Sequence, residues 1–397
     1  MIVDPVSLET VWRWIEENAP RLDVEEVSLA AAQGRVPASA LAAGADVPAT
    51  SCAIEDGYAV RAEETIGAAP YNPLSFPVTE AGHGPLPRGT VARIAAGQPL
   101  PAEADAVLAS EFVDPEADDR ISVLAPLAEG DGVAMAASEL RAGDPLWVEG
   151  RRQPLRPAEI GLLSAAGVLR VPVVRRPRTR ILVPGAAGAP DVLGPMLRAL
   201  AERDGGAVAE VDHLDRGPAR AADLIAGSDL ILIAGGIGDG PGATVGGVLP
   251  GGAEMAIRGV AIEPGRETCL ARREGTVVAL LPGLPAACFW SYELVAGRVV
   301  RCLGGRDPGM PYPLRRFRTT RKIVSTLGFA EIVPVRFDAS DDGAVVPLPG
   351  GRSSRLCAAA QADGFALVPA TSEGCAAGSM VAVWLFEPGA GRDADHG

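Results

Sequence analysis

Hydrophobic residues spaced as in an amphipathic helix occupy residues 7–18. The apolar side chains recur at i, i+3, i+4 and i+7, which puts them on one face of an α-helix. They are Leu8, Val11, Trp12 and Ile15. Ser7 precedes them and belongs to the residue types that cap helix N-termini. The spacing predicts an α-helix over residues 7–18, and a second, alanine-rich helical pattern extends from residue 27 to about 43.

The pattern changes to short apolar runs broken by Gly and Pro between residues 46 and 148. Runs of this kind predict a β-rich region. A helical pattern returns at residues 157–168, where Pro157 suits the first helical position. Residues 174–180 then indicate a connector.

Strand-like and helix-like segments alternate from residue 180 to about residue 300. The segments are a strand at 180–185, a helix at 190–205, a strand at 207–211, a helix at 219–227, a strand at 229–236 and a strand, loop and helix at 276–300. This alternation predicts a parallel sheet with helices on its faces and a ligand near the carboxyl ends of the strands. Residues 320–386 carry only short strand-like segments, which predicts a small β domain, and the last residues predict a frayed tail.

Composition narrows the functional classes. A chain of 397 residues predicts two to four domains. The net charge of −14 argues against a nucleic-acid binder, because that affinity rests largely on cationic side chains. No apolar run of about 18 residues indicates a membrane span. Because the first residues also lack the order of a signal peptide, we expect a cytoplasmic protein.

The residue types argue against a zinc site but leave an anion-binding site open. The six cysteines form no CxxC pair and the three histidines are scattered, so no zinc site is indicated. Residues 301–322 carry seven Arg or Lys, which indicates either a solvated connector or a basic rim for an anionic ligand. Residues 230–245 pass from a buried strand into a glycine-rich loop whose only charge is Asp239, a pattern typical of backbone amides that receive an anion.

Taken in order, several stretches resemble the molybdopterin molybdenumtransferase family (MoeA and the E domain of gephyrin). They are residues 34–62, 94–111, 140–167, 230–240 and 279–294. The resemblance implies an α/β plus β multidomain fold, with a three-layer α/β domain whose sheet is mostly parallel. The implied parts are a linking domain (1–45 and 145–177), an inserted β-rich lobe (46–144), a molybdopterin-binding-like α/β domain (178–312), a C-terminal β-barrel (313–388) and a tail (389–397).

The resemblance also implies a reaction. Family members insert molybdate into adenylylated molybdopterin with Mg²⁺ and release AMP. The resemblance implies a homodimer whose active site lies between the α/β domain of one subunit and the lobe of the other. A molybdenum enzyme or another protein of cofactor biosynthesis is the implied further partner.

The resemblance assigns roles to individual residues. Asp56 matches an acidic site residue of the family, and Asp239 lies two residues before the position of the loop aspartate. The resemblance makes these two the expected catalytic residues, and together with Glu139 they are the expected Mg²⁺ ligands. From the residues alone, Asp56 and Gly57 also suit an Asp–Gly turn. The positions expected to bind molybdopterin are Gly235, Gly236, Gly238, Gly240, Pro282, Gly283, Pro285 and Arg266. Arg266 replaces a lysine of the family and can still engage phosphate.

Several polar residues of the family pattern are replaced in this chain. Ala96 stands where a threonine is usual, Leu284 where an asparagine is usual, and Pro241 where the loop carries an aspartate. Ala186 and Ala187 replace two carboxylates. Three hypotheses therefore stay open: a divergent molybdenumtransferase, a catalytically weakened module that binds a pterin or nucleotide, and a structural partner of a competent relative.

Overall fold

A computed structural model describes residues 4–80, 84–184, 190–214, 227–235 and 253–387. Helix α1 spans Leu8–Asn18, and the hydroxyl of Ser7 accepts a hydrogen bond from the Thr10 amide at 3.3 Å. Both the helix and its cap are therefore confirmed. Leu8, Val11 and Ile15 are buried in the same hydrophobic core as the sheet of the α/β domain.

The helix predicted for residues 27–43 is wrong. The chain forms strand β1 (Val24–Ser28), a short 3₁₀ turn (Leu29–Ala31) and strand β2 (Leu41–Ala42). Gly34 has a φ of +72°, which an α-helix does not accommodate, and Pro37 removes a backbone donor. Because β1 pairs with residues 170–174, a partner distant in sequence decides this segment.

The β-rich lobe predicted from residue 46 is confirmed as a region of short strands. They are β3 (Cys52–Ala53), β4 (Gly57–Val60), β5 (Leu74–Glu80), β6 (Val91–Ile94), β7 (Ala106–Ala109), β8 (Val113–Pro115), β9 (Arg120–Val123) and β10 (Val133–Ala134). Six of them form a sheet in the order β7-β4-β6-β5-β9-β8, and β3 pairs with β10. The side chains of Val60, Phe76 and Leu108 contribute to its core.

After the lobe the chain returns to the N-terminal region. The elements are β11 (Pro145–Trp147), α2 (Pro157–Ala165) and β12 (Arg170–Val174). Strand β12 runs antiparallel to β1, and β11 pairs with β2. Helix α2 begins at Pro157, as predicted. Two separated segments of the chain thus build one region, and the lobe is inserted between them.

The α/β region starts four residues after β12. Its elements are β13 (Arg178–Pro184), α3 (Leu193–Arg203), β14 (Ala207–Leu214), β15 (Leu230–Ala234), β16 (Glu254–Arg258), β17 (Ile262–Glu263), β18 (Cys269–Arg273), β19 (Thr276–Leu281), α4 (Pro285–Ser291), a π-helical turn (Tyr292–Ala296) and α5 (Gly297–Leu303). The sheet order is β14-β13-β15-β19-β18-β16. The first four strands are parallel, β18 runs antiparallel to them, and β16 runs antiparallel to β18, which confirms the mostly parallel sheet. The helix predicted at 219–227 lies almost entirely outside the described residues.

The C-terminal region is a small barrel, as predicted. Its elements are β20 (Leu314–Thr319), β21 (Ile323–Val324), β22 (Ala330–Asp338), β23 (Asp341–Pro347), α6 (Leu356–Ala360), β24 (Gly364–Val368), β25 (Gly374–Cys375) and β26 (Met380–Leu385). Strands β22, β23, β20, β26 and β24 close on themselves through the β22–β24 pairing. Strand β17 extends the barrel sheet beside β22, so the barrel is joined to the α/β region.

The arginine-rich run 301–322 is not simply a solvated connector. Arg301 lies in α5, is 3% exposed, and donates to Asp204 at 2.9 Å. Glu293, fully buried in the π-helical turn, accepts from Arg203 and from the hydroxyl of Tyr312 at 2.8 Å. Burial raises the pKa of the Glu293 carboxyl against the opposing effect of Arg203. This buried network ties the segment before the barrel to the end of α3, to the π-helical turn and to α5.

Candidate functional site at the carboxyl edge of the sheet

Asp56 lies at the edge of the lobe, in the turn between β3 and β4. Its side chain is exposed, and its Oδ1 accepts a hydrogen bond from the amide of Ala96 at 2.8 Å. Gly57 follows, and a Cβ there would lie 2.1 Å from the carbonyl oxygen of Leu108. Only glycine therefore lets β4 run so close to β7, and this close pairing fixes the position of Asp56.

The segment carrying Ala96 is joined to the turn of Asp56 by backbone hydrogen bonds. Gly97 donates to the carbonyl of Ala53 at 2.8 Å, and Ala53 donates to the carbonyl of Gln98 at 3.0 Å. The structure thus brings together two positions that are 40 residues apart in sequence. The methyl group of Ala96, where the resemblance leads us to expect a hydroxyl, is exposed.

The other predicted metal ligands do not join Asp56 in the described structure. Glu139 is exposed, and the segment is held by its backbone amide, which donates to Val47 at 3.0 Å. Asp239 lies outside the described residues. Within the described ranges, no group of three His, Cys, Asp or Glu side chains is placed to hold a metal ion. Because Mg²⁺ needs near-octahedral oxygen coordination, the described carboxylates do not fit it, and the ligand set stays a prediction.

Gly235 and Gly283 meet at the carboxyl ends of β15 and β19. The amide of Gly235 donates to the carbonyl of Leu281 at 2.9 Å, and its φ is +94°. A Cβ on Gly283 would lie 3.2 Å from the Cα of Gly235, closer than most side chains allow. These two glycines therefore let two backbones approach each other at the edge where parallel sheets bind ligands. Gly236, Gly238 and Gly240 lie outside the described residues.

Helix α4 begins two residues after Gly283. Pro282 is buried, Pro285 is the first helical residue, and Leu284 at the N-cap position supplies no capping side chain. The first amides of a helix have no partner within the helix, so they are available to an external acceptor. Leu284 is 74% exposed and presents an apolar side chain at this edge.

Arg266 lies in a turn that joins the same edge. Cys269, which starts β18, pairs with Leu280 near the end of β19, so the turn before it reaches the carboxyl edge. The guanidinium of Arg266 is ion-paired with Glu263 and lies 4.7 Å from the ring centroid of Phe329. The sequence prediction did not include Glu263. Its opposite charge three residues before Arg266, across a Pro–Gly turn, is the signal that could have revealed it.

Three family models match the chain one after another. The MoeA N-terminal region (domain I and II) matches residues 6–167, the probable molybdopterin binding domain matches residues 179–301, and the MoeA C-terminal region (domain IV) matches residues 316–386. Gly235, Arg266 and Gly283 all lie within the middle match. Asp56 and Ala96 lie within the first.

Similar proteins agree with these matches. A molybdopterin molybdenumtransferase of Staphylococcus aureus strain Mu50 is 25% identical over 98% of both chains. Molybdopterin molybdenumtransferase 2 of Mycobacterium tuberculosis is 29% identical over 90% of this chain and 94% of its own. The crystal structure of a molybdopterin biosynthesis MoeA protein from Pyrococcus horikoshii superposes with a TM-score of 0.71, at 27% identity, over 97% of this chain and 100% of its own.

The likeness extends over nearly the whole chain and keeps the order of the regions. In the described part of the chain, no helix is both long and apolar enough to cross a membrane. The matched models, the full-length relatives and the superposed structure lead to one assignment: the chain belongs to the molybdopterin molybdenumtransferase (MoeA) family of molybdenum cofactor biosynthesis.

Proposed function

We propose that this protein binds molybdopterin, free or adenylylated, at the carboxyl edge of its α/β sheet. The observation that carries the proposal is the close approach of Gly235 and Gly283 at the ends of β15 and β19. Backbone that approaches so closely leaves room for a ligand, and the uncapped start of α4 offers amides to an anionic group. The match of residues 179–301 to the probable molybdopterin binding domain supports molybdopterin as the ligand.

A second function, insertion of molybdate with release of AMP, is favoured by the position of Asp56. The hydrogen bond from Ala96 and the glycine behind Asp56 hold this carboxylate at an exposed edge, where it can meet a ligand. Two features oppose efficient insertion. Ala96 lacks a hydroxyl to orient an oxyanion, and Glu263 already neutralises Arg266. We therefore expect binding to be stronger than turnover.

We further propose that the active protein is a homodimer. In the described structure the carboxylate of Asp56 is bonded within its own lobe, and no hydrogen bond joins it to the α/β region of the same chain. A second copy can bring its lobe to the Gly235 edge. Sedimentation should give a dimer, and a mixture of Asp56→Ala and Gly283→Ala chains should recover AMP release if the two residues act across subunits.

The compartment and further partners follow from the same proposal. All six cysteines are free thiols, which suits a reducing compartment such as the cytoplasm. A molybdenum enzyme, or another protein of cofactor biosynthesis, would receive the bound pterin. Magnesium stays a prediction of the family resemblance, because the described carboxylates do not form a site for it.

One pair of experiments tests the two functions separately. Anaerobic calorimetry with molybdopterin measures binding, and molybdate-dependent AMP release from adenylylated molybdopterin measures turnover. Saturable binding with AMP release above an Asp56→Ala control would support both functions. Binding without such release would leave only the pterin-binding function, and a protein that binds neither form of the pterin would contradict the proposal.

A further inference from the structure

The guanidinium of Arg266, which could bind a phosphate, is engaged in an ion pair with Glu263. The Nε of Arg266 donates to Glu263 Oε2 at 3.1 Å, and its Nη2 donates to the same oxygen. The two side chains are 29% and 11% exposed, so the pair is only partly screened by water. Without a ligand, the one cation assigned to the molybdopterin site is bound to the protein's own carboxylate.

A second arginine approaches the same carboxylate from the barrel. The Nε of Arg352 lies 3.6 Å from Glu263 Oε2, and its side chain is 74% exposed. Arg352 belongs to the 3₁₀ turn Gly351–Ser353, whereas Arg266 belongs to the turn at the carboxyl edge. Glu263 therefore lies between a cation of the site and a cation of the barrel.

The backbone around this carboxylate is held at both ends, so exchange of partners can occur through side chains alone. Gly265 has a φ of +117°, and a Cβ there would lie 2.4 Å from the hydroxyl of Ser291 in α4. The hydroxyl of Thr268 donates to that of Ser291 at 2.7 Å. On the other side, Glu263 lies in β17, which pairs with β22 of the barrel.

We propose that Glu263 is a latch on Arg266 that a phosphate-bearing pterin must open. This inference rests on the proposed function. When the ligand's phosphate takes the Arg266 guanidinium, the released carboxylate turns to Arg352. A phosphate dianion with several acceptor oxygens competes well for a guanidinium fork, whereas a pterin without phosphate has nothing to offer it. Glu263 is thus a positioning residue that makes the site selective for phosphorylated ligands and couples its occupancy to the barrel.

The first test is Glu263→Gln, titrated anaerobically with molybdopterin. The amide keeps a hydrogen-bond acceptor but no longer holds the charge, so we expect the dissociation constant to fall about fivefold. Dephosphorylated molybdopterin should bind wild type and Glu263→Gln equally. Glu274→Gln is the matched control, because Glu274 is 82% exposed and its one ion pair among the described residues is with Arg273 at 3.8 Å.

The second test is a double-mutant cycle with Arg352. Arg352→Ala should weaken molybdopterin binding about twofold to threefold in the wild-type background, because the released carboxylate loses its new partner. In the Glu263→Gln background the same substitution should have no effect. Thermal unfolding of each variant establishes that it is folded, and Glu263→Asp, whose carboxylate is withdrawn by one methylene, should give a smaller gain if Glu263→Gln does not fold.

The other possible results would contradict either the latch or the proposed function. A folded Glu263→Gln or Glu263→Asp that binds molybdopterin no more tightly than wild type overturns the latch, as does an Arg352→Ala effect of equal size in both backgrounds. A wild-type protein that binds no molybdopterin overturns the proposed function itself, and the latch with it.

Discussion

The two edges that form the candidate site differ in construction: the α/β edge is formed by backbone and the lobe edge by side chains. On the α/β side, Gly235 and Gly283 create the site by backbone approach, and Pro282 and Pro285 fix the chain around them. On the lobe side, the site depends on the side chain of Asp56 and on the residue at position 96. The described α/β edge has its backbone approach in place, whereas the lobe edge has an alanine at position 96 and therefore no hydroxyl beside Asp56.

This difference separates binding from chemistry. A backbone-built edge needs only small residues, so it does not depend on which side chains surround it. An edge that orients an oxyanion needs specific oxygens, and each replacement removes one of them. We therefore infer that ligand binding is the more strongly retained property and that turnover depends on Asp56.

The largest effect is expected from a substitution that disrupts the packing of the lobe and leaves the α/β edge intact. Gly57→Ala places a Cβ against the Leu108 carbonyl, and β4 must shift away from β7. We expect a loss of about 3 kcal/mol in the free energy of unfolding of the lobe, measured by urea denaturation. AMP release should disappear, whereas molybdopterin affinity should change less than about threefold.

Gly161→Ala is the control for this substitution, because a Cβ at Gly161 in α2 meets no atom within 4 Å. It should leave both activities intact. If Gly57→Ala abolishes molybdopterin binding in a protein whose α/β region is still folded, the separation between the two edges is wrong.

The next effect concerns the helix behind the α/β edge. Burial raises the pKa of the Cys288 thiol in α4 from 9.0 to about 12. Between these values the unfolded chain has released this proton and the folded chain has not, so stability falls as the pH rises. From pH 9 to 10.5 wild type should lose about 2 kcal/mol more than Cys288→Ala.

Urea denaturation of both proteins at pH 7, 9 and 10.5 measures this difference. The pH 7 values provide the baseline for the small cavity that the alanine leaves. Parallel losses in the two proteins would show that the thiol is not buried in the protonated form and that α4 packs less tightly than the full burial of Cys288 implies.

A smaller effect is expected from a substitution that separates the two backbones at the α/β edge. Gly283→Ala places a Cβ 3.2 Å from the Gly235 Cα, so the two backbones must separate. We expect molybdopterin to bind about tenfold more weakly, while the free energy of unfolding falls by only about 1 kcal/mol, since Gly283 is exposed. Calorimetry and urea denaturation measure the two quantities, and unchanged affinity would show that the ligand does not use this edge.

The smallest effect would restore the lobe edge. Ala96→Thr adds an exposed hydroxyl beside Asp56 and leaves the hydrogen bond from the residue 96 amide in place. Molybdate-dependent AMP release should rise about threefold, with molybdopterin affinity unchanged. Unchanged AMP release would mean that position 96 does not contact the reacting groups, and a fall would mean that the larger side chain disturbs the site.

Local patterns predicted the elements that local forces decide. The apolar spacing and Ser7 gave helix α1, and the alternation after residue 178 gave the mostly parallel sheet. The predicted helix over residues 27–43 failed because β1 is decided by its pairing with β12, about 145 residues later, which no local window contains. The burial of Arg301 within the arginine run could not be predicted for the same reason, since its partner Asp204 lies 97 residues earlier in the chain.

The candidate site was predictable only through the family resemblance. An Asp–Gly pair and a glycine-rich loop are common, and nothing in their spacing says that Asp56 meets Ala96 or that Gly235 meets Gly283. The ion pair of Glu263 and Arg266 could have been predicted from the sequence, because the two opposite charges are only three positions apart. The role of Arg352 was not, since the barrel fold brings it to Glu263.

Hydrogen–deuterium exchange with and without molybdopterin tests most directly whether the ligand binds the backbone-built edge. We predict protection in peptides that cover residues 227–235 and 276–291, with smaller changes in the lobe around Asp56. Protection confined to the lobe, or absent from both α/β peptides at saturating molybdopterin, would show that the ligand does not bind at the Gly235–Gly283 edge.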